Sequence, residues 1–198
     1  VDPSVEWRSV IVRGVFDDTA TVTLRLRPVE GQSGVHVITP LVQQDGTAVL
    51  VDRGFLATAT RSTEEVDVPP APSGSVEVIG RVRLSEAASA AGLDADATPP
   101  SVRFVVLDDL QASGVLASGP AASGDLAPVW LERVEQTPAE DASLAAVPAP
   151  GLSAGPSLIY AVQWFLFGVI AVVGFVLLVR RDGRANSPTQ DEDAATAS

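Results

Sequence analysis

The chain has 198 residues, of which 46% are hydrophobic, and it carries a formal net charge of −12 at pH 7. This length and apolar content suffice for one domain with a packed core. The acidic balance argues against nucleic acid as a partner, because phosphate binding requires clustered positive charge. The sequence contains no cysteine, which excludes disulfides, thiolate metal sites and cysteine nucleophiles.

Short runs rich in Val, Ile, Thr and Leu, separated by Gly, Asp and Pro, predict β structure over most of the first 84 residues. The first strand is predicted at Trp7–Phe16. In the next run, Thr21–Arg27, apolar residues alternate with Thr and Arg. This alternation predicts a strand with Val22, Leu24 and Leu26 on its buried face.

Two longer runs, Val35–Val42 and Ala48–Phe55, flank the sequence Gln-Gln-Asp-Gly-Thr. Asp-Gly supplies the positive-φ turn of a β-hairpin, so we expect these strands to pair antiparallel. A further alternating run predicts a strand at Val76–Leu84. The last strand is predicted at Pro128–Val134.

Residues 85–100 are dominated by Ala, Ser, Gly and Asp, and this composition predicts an irregular loop or a short helix on the surface. A short strand is predicted at Arg103–Leu107, a helical turn at Asp109–Ser113 and a flexible stretch at Gly114–Gly124, so residues 85–125 are interpreted together as an irregular insert. The strand count and the short connections predict a mainly β fold class, a small antiparallel barrel or sandwich domain over residues 1–134. Residues 135–157 are rich in Pro and Ala and are predicted to form a linker to the next segment.

Residues 158–179 form an apolar run without a charged side chain, in which Gln163 is the strongly polar exception. At about 1.5 Å per residue, a helix of this length covers about 33 Å, enough to cross a hydrocarbon core of about 30 Å. We therefore predict that a C-terminal transmembrane helix follows the β domain.

Basic residues crowd the C-terminal end of this helix, at Arg180, Arg181 and Arg184, whereas none lies between Arg133 and the helix. This asymmetry predicts that residues 180–198, an acidic tail, are cytoplasmic and that the β domain is extracytoplasmic. Residues 1–157 hold 21 acidic residues against ten arginines, a net charge of −11. The chain contains no methionine, even at position 1, so we expect further residues upstream of Val1.

Catalytic chemistry has little support in these residues. His36 is the one histidine, it lies on an otherwise apolar strand, and no Gly-x-Ser-x-Gly elbow occurs. A zinc site made by the protein would need more histidine or cysteine ligands than the chain offers. We therefore expect a protein that is not an enzyme, with no resident metal and no stably bound cofactor.

Three separated segments resemble the Surf (surfeit-locus) family of cytochrome c oxidase assembly factors. The first combines Gly-Val-His-Val-Ile-Thr-Pro-Leu (34–41) with Val-Leu-Val-Asp-Arg-Gly-Phe (49–55), and the second is Val-Ile-Gly-Arg-Val-Arg (78–83). The third, Leu-Ile-Tyr-Ala-Val-Gln-Trp-Phe (158–165), is similar to the signature that opens the family's second membrane helix. Their order and spacing carry the resemblance over residues 5 to 181.

The resemblance implies a bacterial plasma-membrane protein that supports maturation of the haem-containing subunit of an aa3-type oxidase, with transient contact to haem a. It also implies a first membrane helix, which we expect to be missing from this chain. The family carries a histidine before the third segment, proposed as a haem ligand, and Ser157 stands in its place. A serine hydroxyl is a poor ligand for haem iron, and His36 is a weak substitute.

Residues of the motifs fall into two groups by their expected roles. The first group is interpreted as structural and consists of Thr39, Pro40, Asp52, Arg53 and Gly54. The second group is the candidate partner-binding surface and consists of Tyr160, Gln163, Trp164 and Phe167. Their i, i+3, i+4 and i+7 spacing places them on one face of a helix. Aromatic anchoring at the membrane interface is an alternative reading of this face.

Two other functions stay open at this stage. The chain could be a permanent accessory subunit of the oxidase or of a respiratory supercomplex, which the change to Ser157 favours. It could also be a membrane-tethered β module with an unrelated ligand.

Overall fold

A computed structural model describes residues 1–58, 65–117, 119–147 and 154–185. The chain divides into two units, Val1–Pro148 and Ala149–Ser198, and each is described by itself. The first unit is mainly β, and the described part of the second is a single helix, which confirms the predicted fold class.

Eight strands and two α-helices are present in the described residues. They are β1 (Ser9–Phe16), β2 (Val22–Leu24), β3 (Gly34–Val42), β4 (Ala48–Ala57), β5 (Ser75–Leu84), β6 (Ser101–Val102), α1 (Leu107–Ala112), β7 (Leu126–Thr137), β8 (Leu144–Ala145) and α2 (Ala154–Ala185).

Five of the strands close into a small barrel. Around the barrel, β1 pairs with β3, β3 with β4, β4 with β7, β7 with β5, and β5 with β1. All of these pairs are antiparallel except β4 and β7, which run parallel. The prediction of an antiparallel barrel therefore holds for four of the five strand pairs.

The predicted hairpin of β3 and β4 is confirmed. The two strands pair antiparallel from Gly34 and Ala57 at one end to Val42 and Ala48 at the other. Gly46 in the connecting turn has a φ of +87°, which is the conformation that the Asp-Gly sequence predicts.

The apolar residues form two clusters, one on each side of the barrel wall. Side chains inside the barrel are Phe16, Leu41, Val49, Val51, Val76, Val78, Val82 and Leu131. A second cluster joins the outer wall to the segment after β5 and includes Val22, Leu24, Ile38, Leu50, Val102, Leu107, Leu110 and Trp130. Residues 85–100 are irregular, as predicted, and α1 overlaps the predicted helical turn at Asp109–Ser113. The insert does not lie wholly on the surface, because Ala91, Leu107 and Leu110 belong to the core.

The strand predicted at Arg103–Leu107 is wrong. The amides of Arg103 and Phe104 both donate to the carbonyl of Ala91, so they take no part in a ladder, and Leu107 begins α1. The extended stretch lies just before them, in β6, which pairs parallel with β2.

The prediction for Thr21–Arg27 is also corrected. β2 contains three residues, and all of them are buried. It is paired along both edges, with β3 on one side and β6 on the other. Leu26 was predicted on the buried face, but it is 68% exposed and has a positive φ of 65°. The alternating pattern therefore identified the strand but not its end.

The boundary predicted at Val134 lies too early. β7 continues to Thr137, and β8 pairs with Phe55 and Leu56 of β4. Residues 138–147, called the strap below, thus belong to the β unit although they were predicted as part of the 135–157 linker. Their contacts with buried arginines explain why a segment rich in Pro and Ala is held in place.

The described part of the second unit is α2, whose segment Tyr160–Arg181 is long and apolar enough to cross a membrane, with a mean hydropathy of 2.6. Among the described residues it is the one helix with these properties. The helix continues to Ala185, so its last turns include the start of the predicted tail, 180–198. The rest of that tail lies outside the described residues.

Candidate functional site

The Arg-Gly motif forms a bulge in β4. Val37 of β3 pairs with Gly54, and the next residue, Ile38, pairs with Asp52, so Arg53 is the extra residue on β4. Gly54 has a φ of +142°, and a Cβ at this position would lie 2.5 Å from the carbonyl oxygen of Ala145. Glycine is required here both for the backbone conformation and for the approach of β8.

The bulge directs Arg53 into the protein, where its side chain is fully buried. Its Nη2 and Nε donate to the two carboxylate oxygens of Glu140 in the strap, at 2.8 and 3.0 Å. The guanidinium also donates to the carbonyls of Pro69, at 3.1 Å, and Pro70, at 3.0 Å. This bidentate geometry joins β4, the segment before β5 and the strap through one side chain.

Two more arginines hold the strap. Arg133 is buried and donates to the carbonyls of Arg53 and of Leu144, the latter at 3.0 Å. Burial lowers the pKa of Arg133, and the negative charges of Glu140 and Asp52 oppose this shift. Farther along, Nη2 of Arg81 donates to the carbonyl of Val147 at 2.9 Å. The strap is therefore fixed to β4, β5 and β7 along its length.

His36 and Asp52 form a buried pair on the outer wall of the barrel. The Nδ1 atom of His36 lies 2.8 Å from Oδ2 of Asp52, and the other carboxylate oxygen accepts the Gly54 amide at 3.0 Å. The imidazole is 5% exposed and meets the Phe55 ring edge-on, with the centroids 5.5 Å apart. Burial acts to lower the pKa of His36, but the hydrogen bond and the charge of Asp52 together raise it above its usual value.

This pair predicts a pH-dependent stability. Because the pKa of His36 is higher in the folded chain than in the unfolded chain, its contribution is fully present below about pH 6.5 and is lost as the pH rises through the folded value. We expect His36→Gln to remove this loss, which amounts to at most about 1.4 kcal/mol per pH unit. Urea unfolding of both proteins between pH 5 and pH 9 measures it. Equal pH profiles would show that His36 does not titrate between the two states.

Thr39 and Pro40 also lie within the fold. The hydroxyls of Thr39 and Thr21 are 2.9 Å apart and buried, and the Pro40 carbonyl accepts the Asp17 amide at 2.9 Å. Asp17 in turn accepts the amide of Ala121 at 2.9 Å. The Thr-Pro motif thus lies where the segment around Ala121 contacts the barrel through Asp17.

Sequence reasoning missed Glu140, Arg133 and Arg81. These residues lie far apart along the chain, and Glu140 is 87 residues from Arg53. One signal in the sequence could have indicated Glu140. Glu140 and Asp141 are the acidic residues of the strap, which is otherwise rich in Pro, Ala and Ser. A buried Arg on the preceding barrel would need such a carboxylate.

The candidate partner-binding face on α2 is exposed along its length. Tyr160, Trp164 and Phe167 are 62%, 71% and 50% exposed, and Gln163 is exposed as well. The rings of Trp164 and Phe167 meet edge-to-face with their centroids 6.0 Å apart. The structure therefore brings the predicted residues onto one side of the helix, where they form a continuous, mainly aromatic surface.

The residues considered for haem do not fit that role. Ser157 lies near the start of α2, and its hydroxyl is a poor ligand for iron. His36 is buried, and one of its ring nitrogens is already bonded to Asp52. The imidazole of His36 is therefore already engaged within the fold.

Together the two units define a small β-barrel protein with an apolar helix long enough to anchor it in a membrane. A model of the SURF1 family matches residues 1–169. The chain belongs to the SURF1 family, which confirms the resemblance. Members of this family are known generally as oxidase assembly factors.

Individual relatives agree with this assignment. Proteins of Mycobacterium tuberculosis and Mycobacterium bovis named "Uncharacterized SURF1-like protein" are 33% identical over 199 residues, which covers 96% of this chain and 68% of each relative. A "SURF1-like protein" of Dictyostelium discoideum is 36% identical over 61 residues, or 31% of this chain and 23% of that protein.

Proposed function

We propose that the chain is a membrane-anchored assembly factor for an aa3-type cytochrome c oxidase and supports maturation of the haem-containing subunit. Membership of the SURF1 family carries this proposal. The apolar helix supports it, because it would keep the barrel beside a complex that is itself in the membrane. The proposed partners are the membrane and the oxidase subunits.

The proposed role is binding and not catalysis. The one histidine of the chain is paired with Asp52 inside the fold, and the Arg-Gly motif is used to fasten the strap. Haem a would meet the complex as its cargo, held by ligands from the oxidase subunit and not by His36 or Ser157. The exposed face of α2 is the surface proposed for contact with partner helices.

Deletion of the gene tests the proposal. We expect the amount of assembled oxidase in native gels to fall while the transcripts of its subunits stay constant. Restoring the chain should restore the complex. An unchanged amount of assembled oxidase would contradict an assembly function.

A permanent accessory subunit is the second candidate, and the serine at position 157 favours it, because it removes the family's proposed haem ligand. The two roles differ in stoichiometry. Mature oxidase purified from native membranes should contain only traces of an assembly factor. One copy of this chain per oxidase would identify a subunit instead.

The proposed orientation places the barrel outside the cytoplasm in a bacterial plasma membrane. Because the chain has no cysteine, single thiols can be introduced at exposed Ala112, the last residue of α1, and at Ser187 in the tail. In intact cells, a membrane-impermeant maleimide should label Ala112→Cys fully. Ser187→Cys should react only after the cells are lysed. The reverse pattern would overturn the orientation.

The exposed face of α2 yields a further prediction. Gln163→Leu makes the helix more apolar and should leave insertion intact, but it removes an amide that can bond across a helix interface. Such bonds contribute about 0.6 to 2 kcal/mol, so partner affinity should fall by about 3- to 30-fold. Trp164→Ala should cause a larger loss if its exposed ring packs against a partner.

Co-purification of oxidase subunits from native membranes measures both effects. Phe165→Ala is the matched control, because Phe165 is an exposed aromatic residue outside the i, i+3, i+4 series. Full binding by both variants would show that this face is a lipid anchor and that partner contacts lie in the barrel.

A further inference from the structure

β1 is paired unequally on its two sides. On one side it pairs with β5 over seven residues, from Ser9 to Val15. On the other side it pairs with β3 at Val15 and Phe16 alone, since β3 ends at Val42 and the chain turns away. The part of β1 from Ser9 to Arg13 therefore lines an edge with which no strand in the described ranges pairs.

Hydrogen bonds at the two ends of β1 fix which of its backbone groups point to this edge. The Val82 amide donates to the carbonyl of Arg8 at 2.8 Å, so the even-numbered positions of β1 face β5. The Asp17 amide donates to the carbonyl of Pro40 at 2.9 Å, so the odd-numbered positions face the β3 side. It follows that the N–H and C=O groups of Ser9, Ile11 and Arg13 point to the open edge.

Apolar side chains lie next to these backbone groups. Val10 and Val12 are half-buried and pack against the cluster inside the barrel, together with Ala127 and Val129 of β7. On the outer face of β1, Ile11 is 59% exposed. Natural sheet edges are protected by proline, bulges or several charges, whereas the stretch from Ser9 to Arg13 has one charged residue, Arg13.

We infer that the open edge of β1 binds an extended segment of a partner protein, which adds to the sheet as a further strand. A row of outward N–H and C=O groups recognises another polypeptide backbone, and the half-buried valines receive apolar side chains at alternate positions of that segment. The barrel region is strongly acidic, with a net charge of −11 over residues 1–157, so the segment should carry Lys or Arg between its apolar residues.

A second copy of this chain does not meet these requirements. Two copies would bring together chains that each carry a charge of −12, whereas the edge calls for a segment with basic residues. The inference concerns the edge itself and does not depend on the proposed oxidase function.

Amide hydrogen exchange of the full chain tests the inference. In detergent micelles, the amides of Ser9, Ile11 and Arg13 should exchange about 100-fold faster than those of Val10 and Val12, which face β5. In native membranes, where the partner is present, the 9–13 segment should exchange at least about tenfold more slowly than in micelles. Equal exchange rates in membranes and micelles would overturn the inference. Protection that depends on the concentration of the chain would also overturn it, because it would indicate pairing with a second copy.

Two variants separate backbone pairing from contact with the side chain. Ile11→Pro removes an N–H that points away from β5, so the β5 ladder should persist while protection in native membranes is lost. Ile11→Thr keeps that N–H and should retain the protection. Loss of protection in both variants, or in neither, would contradict strand addition.

A synthetic peptide tests the charge of the occupant. A nine-residue peptide with Val at alternate positions and Arg between them should protect Ser9, Ile11 and Arg13 in micelles. The same peptide with Glu in place of Arg should bind at least about tenfold more weakly. Equal protection by the two peptides would contradict the basic character of the segment.

Discussion

Replacement of Arg53 by alanine is expected to lower the free energy of unfolding of the β unit by about 3 to 5 kcal/mol. The side chain is fully buried and makes five hydrogen bonds. Its removal leaves the Glu140 carboxylate, which is 2% exposed, without its positive partner, and it leaves the carbonyls of Pro69 and Pro70 unpaired. Pulse proteolysis of the full chain in urea measures the change.

Arg13→Ala is the matched control for this variant. Arg13 pairs with Glu77 on the surface and is 71% exposed, so its loss should cost less than about 1 kcal/mol. A double variant, Arg53→Leu with Glu140→Leu, removes both buried charges and should recover much of the stability. Equal losses for Arg53→Ala and Arg13→Ala would show that the strap is not held by the buried pair.

Trp130→Ala is the second change with a large expected effect, again about 3 to 5 kcal/mol. Trp130 is 1% exposed and lies in the cluster between the barrel wall and the outer segment. Its Nε1 donates to the carbonyl of Leu84 at 2.8 Å, and the Arg83 guanidinium lies 5.3 Å from its ring centre. The variant creates a cavity and leaves the Leu84 carbonyl unpaired.

Trp7→Ala provides the comparison for Trp130. Trp7 is 45% exposed and contacts the same guanidinium, that of Arg83, at 4.0 Å from its ring centre. An exposed cation–π contact contributes about 0.5 to 1 kcal/mol, so this variant should be the milder of the two by several-fold. Similar losses in urea pulse proteolysis would contradict the assignment of Trp130 to the core.

Local signals predicted the parts of the fold that depend on neighbouring residues. The Asp-Gly turn and the two apolar runs beside it identified the β3–β4 hairpin and its direction. The uninterrupted apolar run identified α2 within a few residues of its membrane-capable segment, Tyr160–Arg181. Both features arise from interactions close in sequence, which a single chain displays directly.

Contacts between distant residues could not be read in this way. The parallel pairing of β4 with β7 joins strands that are about 80 residues apart, and the Arg53–Glu140 pair has a similar separation. The Pro- and Ala-rich composition around Glu140 predicts a linker. Composition does not reveal that a buried arginine elsewhere in the chain needs the Glu140 carboxylate. The burial of Thr23 and the exposure of Leu26 likewise depend on distant segments. β3 and β6 pair with β2 as far as Leu24, and neither pairs with Leu26.

The family motifs have a clear physical meaning in this fold. The Arg-Gly pair creates a bulge, points Arg53 to the strap and allows β8 to approach. His36 takes part in the same region through Asp52, which also accepts the Gly54 amide. These residues organise the barrel, and the surfaces proposed for partners are the exposed face of α2 and the open edge of β1.

The haem a content of the oxidase catalytic subunit, measured in membranes of a deletion strain, tests the proposed function most directly. We predict that haem a per mole of that subunit falls in the deletion strain and returns when the wild-type chain is restored. The Arg53→Ala variant should restore it only in part, because the strap is released. A normal ratio of haem a to subunit in the deletion strain would contradict a role in maturation of the haem-containing subunit.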